Sequence, residues 1–216
     1  MKKLLIIFGI VIGCLISSTS YAEKTDFENY LVLKESSVSV ITVYTDESAS
    51  SCTGIVIVKD EKKTGILTAK HCVTNKVKNV YIVSDYNYYH ASSYKTSKFY
   101  DVAYVEINTR LDKQNPIKIA SRDAKRKSIV YFLGLLPTGE YFRPGIIGYK
   151  SITNVYIFSV ALKGCSGAGI INTKGELVGI LWGGFVMGDV ELTVMTPIKK
   201  IRPFLIKCKI WNKVRF

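Results

Sequence analysis

The sequence has 216 residues, of which 48% are hydrophobic and 12% aromatic, and its formal net charge at pH 7 is +13. This length suits one compact unit or two small halves that share an interface. The charge would attract anionic partners, such as acidic substrates or polymers of the cell envelope. No basic run interleaved with aromatic residues forms a nucleic-acid-binding module, so we expect no nucleic-acid partner.

The first 22 residues have the composition of a secretory signal peptide. A short positive start precedes an apolar run over 4–16, and the sequence Ser-Tyr-Ala at 20–22 fits the small-x-small cleavage rule. Cleavage after Ala22 predicts a secreted or periplasmic protein with no membrane span in the mature chain. The alternative is a lipoprotein signal at Cys14, which the apolar residues directly after Cys14 disfavour.

The next 90 or so residues predict a set of short strands, because segments rich in Val and Ile alternate with turn residues. The predicted strands are 37–44, 54–58, 64–68, 80–84 and 102–107, with a charged turn at 60–63. Residues 86–98 are polar and rich in Tyr and Ser, which indicates an exposed loop or edge. Residues 108–116 are polar, charged and closed by a proline, which is typical of a connector.

A second set of strands follows the connector. The predicted strands are 128–133, 145–149, 155–160, 169–172, 177–181 and 192–195, and turn signals lie at 137–139, 143–145 and 173–175. Only the end of the chain looks helical, with Pro203 as the first helical residue. The pattern predicts an all-β protein of two antiparallel barrels or sandwiches, 23–112 and 113–216, after a signal peptide at 1–22. A cleft between the barrels would combine residues from both.

Ser166 is the candidate nucleophile. Gly164 and Gly167 bracket it, so the backbone can turn sharply there and direct the N–H groups of Gly164 and Ser166 toward an oxyanion. A glycine-flanked serine taken alone is more typical of a plain β-turn than of a nucleophile. A serine hydroxyl becomes a strong nucleophile only when a neighbouring imidazole accepts its proton.

The candidate base and its orienting acid precede the serine in the chain. His71 directly follows a predicted apolar strand, whereas the only other histidine, His90, lies in a polar aromatic stretch and is predicted to be a surface residue. Asp101 opens an apolar strand, where a carboxylate needs a partner such as an imidazole N–H. Taken alone, His71 could be a core histidine and Asp101 a turn residue. The order His71, Asp101, Ser166 fits chymotrypsin-type enzymes and not α/β-hydrolases.

Four cysteines remain after the predicted cleavage: Cys52, Cys72, Cys165 and Cys208. An even number in an exported protein predicts two disulfides, and three connectivities are possible. A bond between Cys52 and Cys72 would fix the strand end that carries His71. No Cys/His cluster has metal-ligand spacing, so we expect no metal and no cofactor.

Three motifs resemble the signature blocks of trypsin/chymotrypsin-like serine proteases: Thr-Ala-Lys-His-Cys at 68–72, Asp-Val-Ala at 101–103 and Gly-Cys-Ser-Gly at 164–167. Residues 177–184 resemble the strand that lines the substrate groove, most closely in the bacterial branch that includes glutamyl endopeptidases. The resemblance covers about 36–207. It implies two six-stranded barrels with a C-terminal helix, and a monomeric endopeptidase that cleaves proteins or peptides through an acyl-enzyme.

The resemblance also implies a primary specificity pocket. Its lining would be Val160, Ala161, Leu181, Trp182, Gly183 and Gly184. No acid lies there to receive a basic side chain, and Leu181 replaces the histidine of glutamyl endopeptidases. We therefore expect small or apolar residues at P1, although the ammonium of Lys163 could reach an acid at the pocket mouth.

Cys165 departs from the family pattern. Zymogen-type members carry an aspartate before the nucleophile, which pairs with a freed N-terminus, so that mode of activation is not expected here. We predict instead that Cys165 pairs with Cys208 and ties the serine turn to the C-terminal helix.

Two other functions fit the same fold, a non-catalytic binding module and an esterase.

Overall fold

The computed structural model describes residues 23–215, which form two β-sheets and two α-helices. Helix α1 comprises Asp26–Ser36. The first sheet contains β1 (Ser37–Tyr44), β2 (Ala49–Lys59), β3 (Thr64–Thr68), β4 (Val77–Ser84), β5 (Asn87–His90), β6 (Ser93–Thr96) and β7 (Ala103–Ile107). The second contains β8 (Lys118–Ile119), β9 (Ile129–Leu136), β10 (Gly139–Lys150), β11 (Val155–Phe158), β12 (Gly169–Asn172), β13 (Glu176–Met187) and β14 (Val190–Pro197), and helix α2 (Ile198–Lys207) follows it. The predicted signal peptide and Cys14 lie outside the described residues.

The first sheet is antiparallel and has the strand order β5-β4-β1-β2-β3-β7-β6. Its two edge strands, β5 and β6, are consecutive in the chain. Between them, the Ala91 N–H donates to Val80 O on β4, and the Ser92 N–H donates to Glu106 O on β7. The chain therefore bends from one edge of the sheet to the other, which gives the sheet a barrel-like shape.

The second sheet has the order β12-β9-β10-β11-β14-β13-β8. A further pairing between β12 and β13 closes six of these strands into a barrel, and β8 pairs with β13 in parallel outside it. The predicted all-β fold with two barrel-like sheets and a C-terminal helix is confirmed. The predicted six strands are confirmed for the closed barrel, which β8 extends as a seventh strand, whereas the first sheet has seven strands because the break at Ala91–Ser92 divides one of them.

Helix α1 contradicts the prediction that only the end of the chain is helical. A capping box starts it: the Thr25 hydroxyl accepts from the Glu28 N–H at 3.2 Å, and the Glu28 carboxylate accepts from the Thr25 N–H at 2.7 Å. Its buried residues are Asn29, Leu33 and Ser36, two of which are polar. The helix therefore lacks the apolar stripe by which a helix is recognised in a sequence.

Two predicted boundaries are also wrong in the second half. Helix α2 begins at Ile198, directly after β14, and Pro203 lies inside it. The Asp123 carboxylate accepts from the Lys199 N–H at 3.0 Å and so satisfies a donor of the first turn. Pro144 lies within β10 opposite Tyr131 rather than in a turn. Pairing between β10 and β11 begins only at Ile146. The missing N–H of Pro144 therefore removes no hydrogen bond between β10 and β11.

The core consists of three buried clusters. One lies in the first sheet, a second lies in the closed barrel and includes Cys165, and the third lies between the sheets. The third cluster combines Leu33 of α1, Ile55 of β2, Leu133 of β9 and Leu205 of α2. The two halves are thus packed against one another through an apolar interface. None of the helices in residues 23–215 has the length and apolar character needed to cross a membrane.

Candidate active site

His71 lies at the end of a buried strand of the first sheet. Strand β3 ends at Thr68, and a single 3-10 turn, Lys70–Val73, presents the imidazole, whose side chain is 44% exposed. A disulfide between Cys52 on β2 and Cys72 in this turn holds the turn against the sheet. This pairing is one of those that the sequence left open.

Asp101 binds His71 through both carboxylate oxygens. The distance between Oδ2 and His71 Nδ1 is 2.7 Å, and Oδ1 accepts from the His71 backbone N–H at 3.0 Å. Burial acts to raise the pKa of Asp101, but hydrogen bonds from the His71 ring and from the N–H groups of His71 and Lys70 outweigh it and hold this pKa below its usual value. The ionised carboxylate favours the proton on Nδ1, which leaves Nε2 free to act as a base.

The segment that carries Asp101 is internally hydrogen-bonded. The buried Ser97 hydroxyl accepts from the N–H groups of Phe99 and Tyr100 at 3.3 and 3.2 Å. The Ser97 N–H in turn donates to Val102 O at 3.0 Å. These bonds fix the short loop from which the carboxylate reaches His71.

Ser166 lies in a tight turn of the closed barrel. Glycines with positive φ precede and follow it, Gly164 at +98° and Gly167 at +88°. A Cβ on Gly167 would lie 2.0 Å from Thr53 O and 2.1 Å from Thr68 Oγ1, so glycine is required for the turn to approach the first sheet. Thr68 ends the strand that leads to His71, and Cys72 Sγ lies 3.8 Å from Ser166 O. The fold therefore brings the serine turn to the strand end that carries the histidine.

Ser166 and His71, the two candidate reacting residues, are not hydrogen-bonded to each other through their side chains within residues 23–215. Among the hydrogen bonds of residues 23–215, none joins the Ser166 hydroxyl to the His71 ring. Such contacts are commonly long in unliganded enzymes and tighten when substrate binds.

The serine turn presents two backbone donors without partners in the described chain. The N–H groups of Cys165 and Gly167 donate to Leu162 O and Leu181 O, whereas those of Gly164 and Ser166 make no hydrogen bond. Both residues are half-buried. Two fixed, unpaired N–H groups beside a serine hydroxyl form an arrangement that can stabilise a developing oxyanion.

Thr53 on β2 connects the first sheet to the serine turn. Its backbone N–H donates to Ser166 O at 2.8 Å, and its hydroxyl donates to Gly164 O at 2.8 Å and accepts from the Leu135 N–H at 2.9 Å. The side chain is fully buried. No sequence pattern indicates this role, because a threonine in an apolar strand is ordinary.

The predicted pocket residues fall into two groups. Ala161 lies beside Gly184, since a Cβ on Gly184 would be 3.8 Å from Ala161 Cβ, and a Cβ on Gly183 would meet no atom within 4 Å. Val160 is 38% exposed. Of these four residues, Gly183 thus borders open space, and the other three are exposed or half-buried.

Leu181 and Trp182 are placed differently. Leu181 is fully buried in the core of the closed barrel, so its side chain cannot line an open pocket, and its backbone O accepts from the N–H of Gly167 in the serine turn. Trp182 is half-buried against the core of the first sheet. Lys163 is exposed in the loop before the serine.

Cys165 and Cys208 are free, buried thiols, so the predicted bond between them is wrong. Cys165 packs in the closed barrel, where a Cβ on Gly134 would lie 2.5 Å from its sulfur. Cys208 follows α2 and packs in the cluster between the sheets. The two thiols belong to different cores, and burial raises the pKa of both.

One group of possible metal ligands occurs among residues 23–215: Cys52, Cys72 and His71, with ligand atoms within 4.8 Å of one another. The two sulfurs are bonded to each other and so are not thiolates, which makes the group unsuited to a metal. His90 lies on edge strand β5, and its Nε2 is 3.1 Å from Asn79 Oδ1.

Comparison with known proteins identifies the fold. No curated protein has a significantly similar sequence. Among solved structures, the active form of the Rv3671c protease from M. tuberculosis superposes with a TM-score of 0.72 at 18% identity, covering 83% of both chains. A serine endoprotease from Yersinia pestis gives 0.68 at 21% identity, covering 89% of this chain and 69% of that one. A Glu endopeptidase superposes with a TM-score of 0.64 at 17% identity, covering 81% of this chain and 90% of that one.

These structural matches show a chymotrypsin-like fold, and the sequence comparison adds the family. The sequence profile of the trypsin-like peptidase domain matches residues 52–180, a stretch that includes His71, Asp101 and Ser166. The expected resemblance is confirmed, and the chain belongs to the trypsin-like peptidase family.

Proposed function

We propose that the chain is a serine endopeptidase that cleaves peptide bonds through a His71–Asp101–Ser166 triad. The observation that carries the proposal is the pair of unpaired N–H groups, Gly164 and Ser166, in a turn packed against the hydrogen-bonded His71–Asp101 pair. Two fixed N–H groups beside a serine hydroxyl are the donors that an oxyanion requires.

Each residue has one role in the proposed reaction. Ser166 Oγ attacks the scissile carbonyl while His71 Nε2 accepts its proton, and the N–H groups of Gly164 and Ser166 bind the oxyanion. His71 then donates the proton to the leaving amine, which gives an acyl-enzyme that water hydrolyses by the same sequence of proton transfers. Asp101 stays ionised, orients the ring and stabilises the imidazolium.

The proposed enzyme prefers small or apolar residues at P1. The open side of Gly183 and the contact between Gly184 and Ala161 support this preference, since none of these residues offers a charge. Cleavage of a peptide library with randomised P1 checks it, and a strict requirement for Glu or Arg would contradict it.

Two further expectations belong to this proposal. The chain would be exported by the segment 1–22, which is consistent with the disulfide between Cys52 and Cys72. The catalytic unit would divide into halves at 23–112 and 113–216, with His71 and Asp101 in one half and Ser166 in the other.

A fluorophosphonate probe tests the proposed triad, because it labels only an activated serine. We expect stoichiometric labelling at Ser166, and no labelling in Ser166→Ala or His71→Ala. His90→Ala is the matched control and should be labelled at the wild-type rate. Failure to label a folded wild-type chain would favour a binding module, whereas labelling with cleavage of esters but not of proteins would favour an esterase.

A further inference from the structure

A cavity of about 550 Å³ lies outside the cleft of the candidate active site, between the loop before β7 and helix α2. Residues 95–100 form one wall, and Lys200, Pro203, Phe204, Lys207 and Cys208 form the other. Its volume lies in the range of about 300–1,000 Å³ that is typical of small-molecule sites. We call it the lysine-rimmed cavity.

The rim of this cavity carries one sign of charge. Lys95, Lys98, Lys200 and Lys207 line it, and no Asp or Glu is among its lining residues. Within residues 23–215, none of these four ammonium groups forms an ion pair. Burial raises the pKa of the Cys208 thiol, and the nearby positive charges of Lys95 and Lys207 partly oppose this rise. An anion placed here would find several unpaired cations.

The floor of the cavity is apolar and aromatic. The rings of Phe99, Tyr100 and Phe204 contribute to it together with Pro203. The Phe99 side chain is 78% exposed, so its ring is accessible to a ligand in the cavity. The ammonium groups of Lys98 and Lys200 lie 5.8 and 5.9 Å from the ring centroids of Phe99 and Tyr100.

We propose that the lysine-rimmed cavity binds a free anionic amphiphile, a small molecule with an apolar body and one carboxylate or phosphate headgroup. The apolar floor would take the body, and the lysines would pair with the headgroup. A neutral lipid would leave the cations unpaired, and a highly charged polymer would gain nothing from the apolar floor. The proposal does not depend on the proposed peptidase function, because binding can be measured without turnover.

The bound molecule would contact the loop that carries Asp101. Lys98, Phe99 and Tyr100 line both this cavity and the cleft that contains His71 and Asp101. The two sites are therefore separated only by the loop that the Ser97 hydroxyl stabilises.

Calorimetric titration with decanoate, kept below its micelle concentration, tests the proposal. We expect saturable binding of one decanoate per chain, and at least tenfold weaker binding of acetate and of decyl maltoside, which has the same alkyl chain and a neutral headgroup. Equal binding of decyl maltoside would overturn the role of the lysines, and an absence of decanoate binding would overturn the site.

Paired variants locate the site. Lys200→Gln with Lys207→Gln should weaken decanoate binding at least tenfold, whereas Lys125→Gln with Lys174→Gln, which removes the same charge at exposed positions elsewhere, should change it less than twofold. Phe99→Ala should also weaken binding and, because the ring is exposed, should leave the melting temperature unchanged. Equal weakening in both lysine pairs, or wild-type binding in Phe99→Ala, would contradict the proposal.

Discussion

The two halves of the candidate active site are held by different kinds of contact. In the first sheet, His71 and Asp101 are joined side chain to side chain, through an ionised hydrogen bond beside a disulfide. In the closed barrel, Ser166 is held by its backbone, through Thr53 and two glycines, and its hydroxyl makes no bond to His71. The base is thus oriented by charge, whereas the nucleophile and the oxyanion donors are placed by chain geometry, and the two should respond differently to substitution.

Loss of the Asp101 charge should have the largest effect on kcat. Asp101→Asn keeps the shape but favours the wrong proton position on His71, so we expect kcat to fall about 10⁴-fold. Peptide hydrolysis measured on a variant that is still folded at the assay temperature would confirm that charge acts on the chemistry. A loss of less than tenfold would show that Asp101 does not orient the base.

Loss of a buried hydroxyl in the second half should have a smaller effect. Thr53→Val leaves Gly164 O and the Leu135 N–H unpaired, so we expect kcat to fall at least tenfold with little change in KM, because the oxyanion donors lose their fixed position. Affinity for a boronate transition-state analogue should fall in parallel.

The control for this experiment is Thr53→Ser, which retains the hydroxyl and should restore most of kcat and of the boronate affinity. A purely structural role would instead lower the free energy of unfolding of Thr53→Val while leaving the kcat of the folded enzyme unchanged.

Removal of the disulfide between Cys52 and Cys72 should lower the free energy of unfolding more than it lowers the catalytic rate. Cys52 and Cys72 are separated by 20 residues, and the unfolded chain gains entropy when a loop of this size is opened. We expect Cys52→Ser with Cys72→Ser to lose about 3 kcal/mol of unfolding free energy. Urea unfolding measures this loss, and an equal loss on reduction of the wild-type protein is the control. Unchanged stability would show that the bond constrains only the His71 turn.

The smallest effect concerns pH and stability. The pKa of Asp101 is lower in the folded chain than in the unfolded chain, so its contribution to stability is complete above the unfolded value of about 3.9 and is lost as pH falls through the folded value. The difference in unfolding free energy between wild type and Asp101→Asn should therefore shrink as pH falls below about 4. A difference that is constant from pH 6 to pH 2 would contradict a depressed pKa.

The sequence predicted the features that depend on the type of residue, such as the candidate triad and the strands. It did not predict the features that depend on contacts between distant segments of the folded chain. His71, Asp101 and Ser166 stood out because few residue types perform acyl transfer, and the strands stood out by their Val and Ile. Helix α1 was missed because its buried side is mainly polar. The bond between Cys165 and Cys208 was predicted from the even number of cysteines and from the position of Cys165 before the nucleophile, but the fold places the two sulfurs in separate cores.

Thr53 could not have been predicted, because its role exists only across the boundary between the sheets. Its bonds join residues 111 and 82 positions away, and no local pattern specifies such partners. Leu181 illustrates the same limit, since its place in the motif implied a pocket wall and its side chain is in the core.

The bonds made by Thr53 also have a consequence for the timing of activity. A ribosome completes the segment with Thr53, His71 and Asp101 well before it adds residues 164–166, which supply the carbonyls that Thr53 binds. A growing chain can therefore assemble the base early but cannot fix the oxyanion donors until both halves dock. On the proposed function, hydrolysis cannot begin until residues 164–166 have been added and have docked on Thr53.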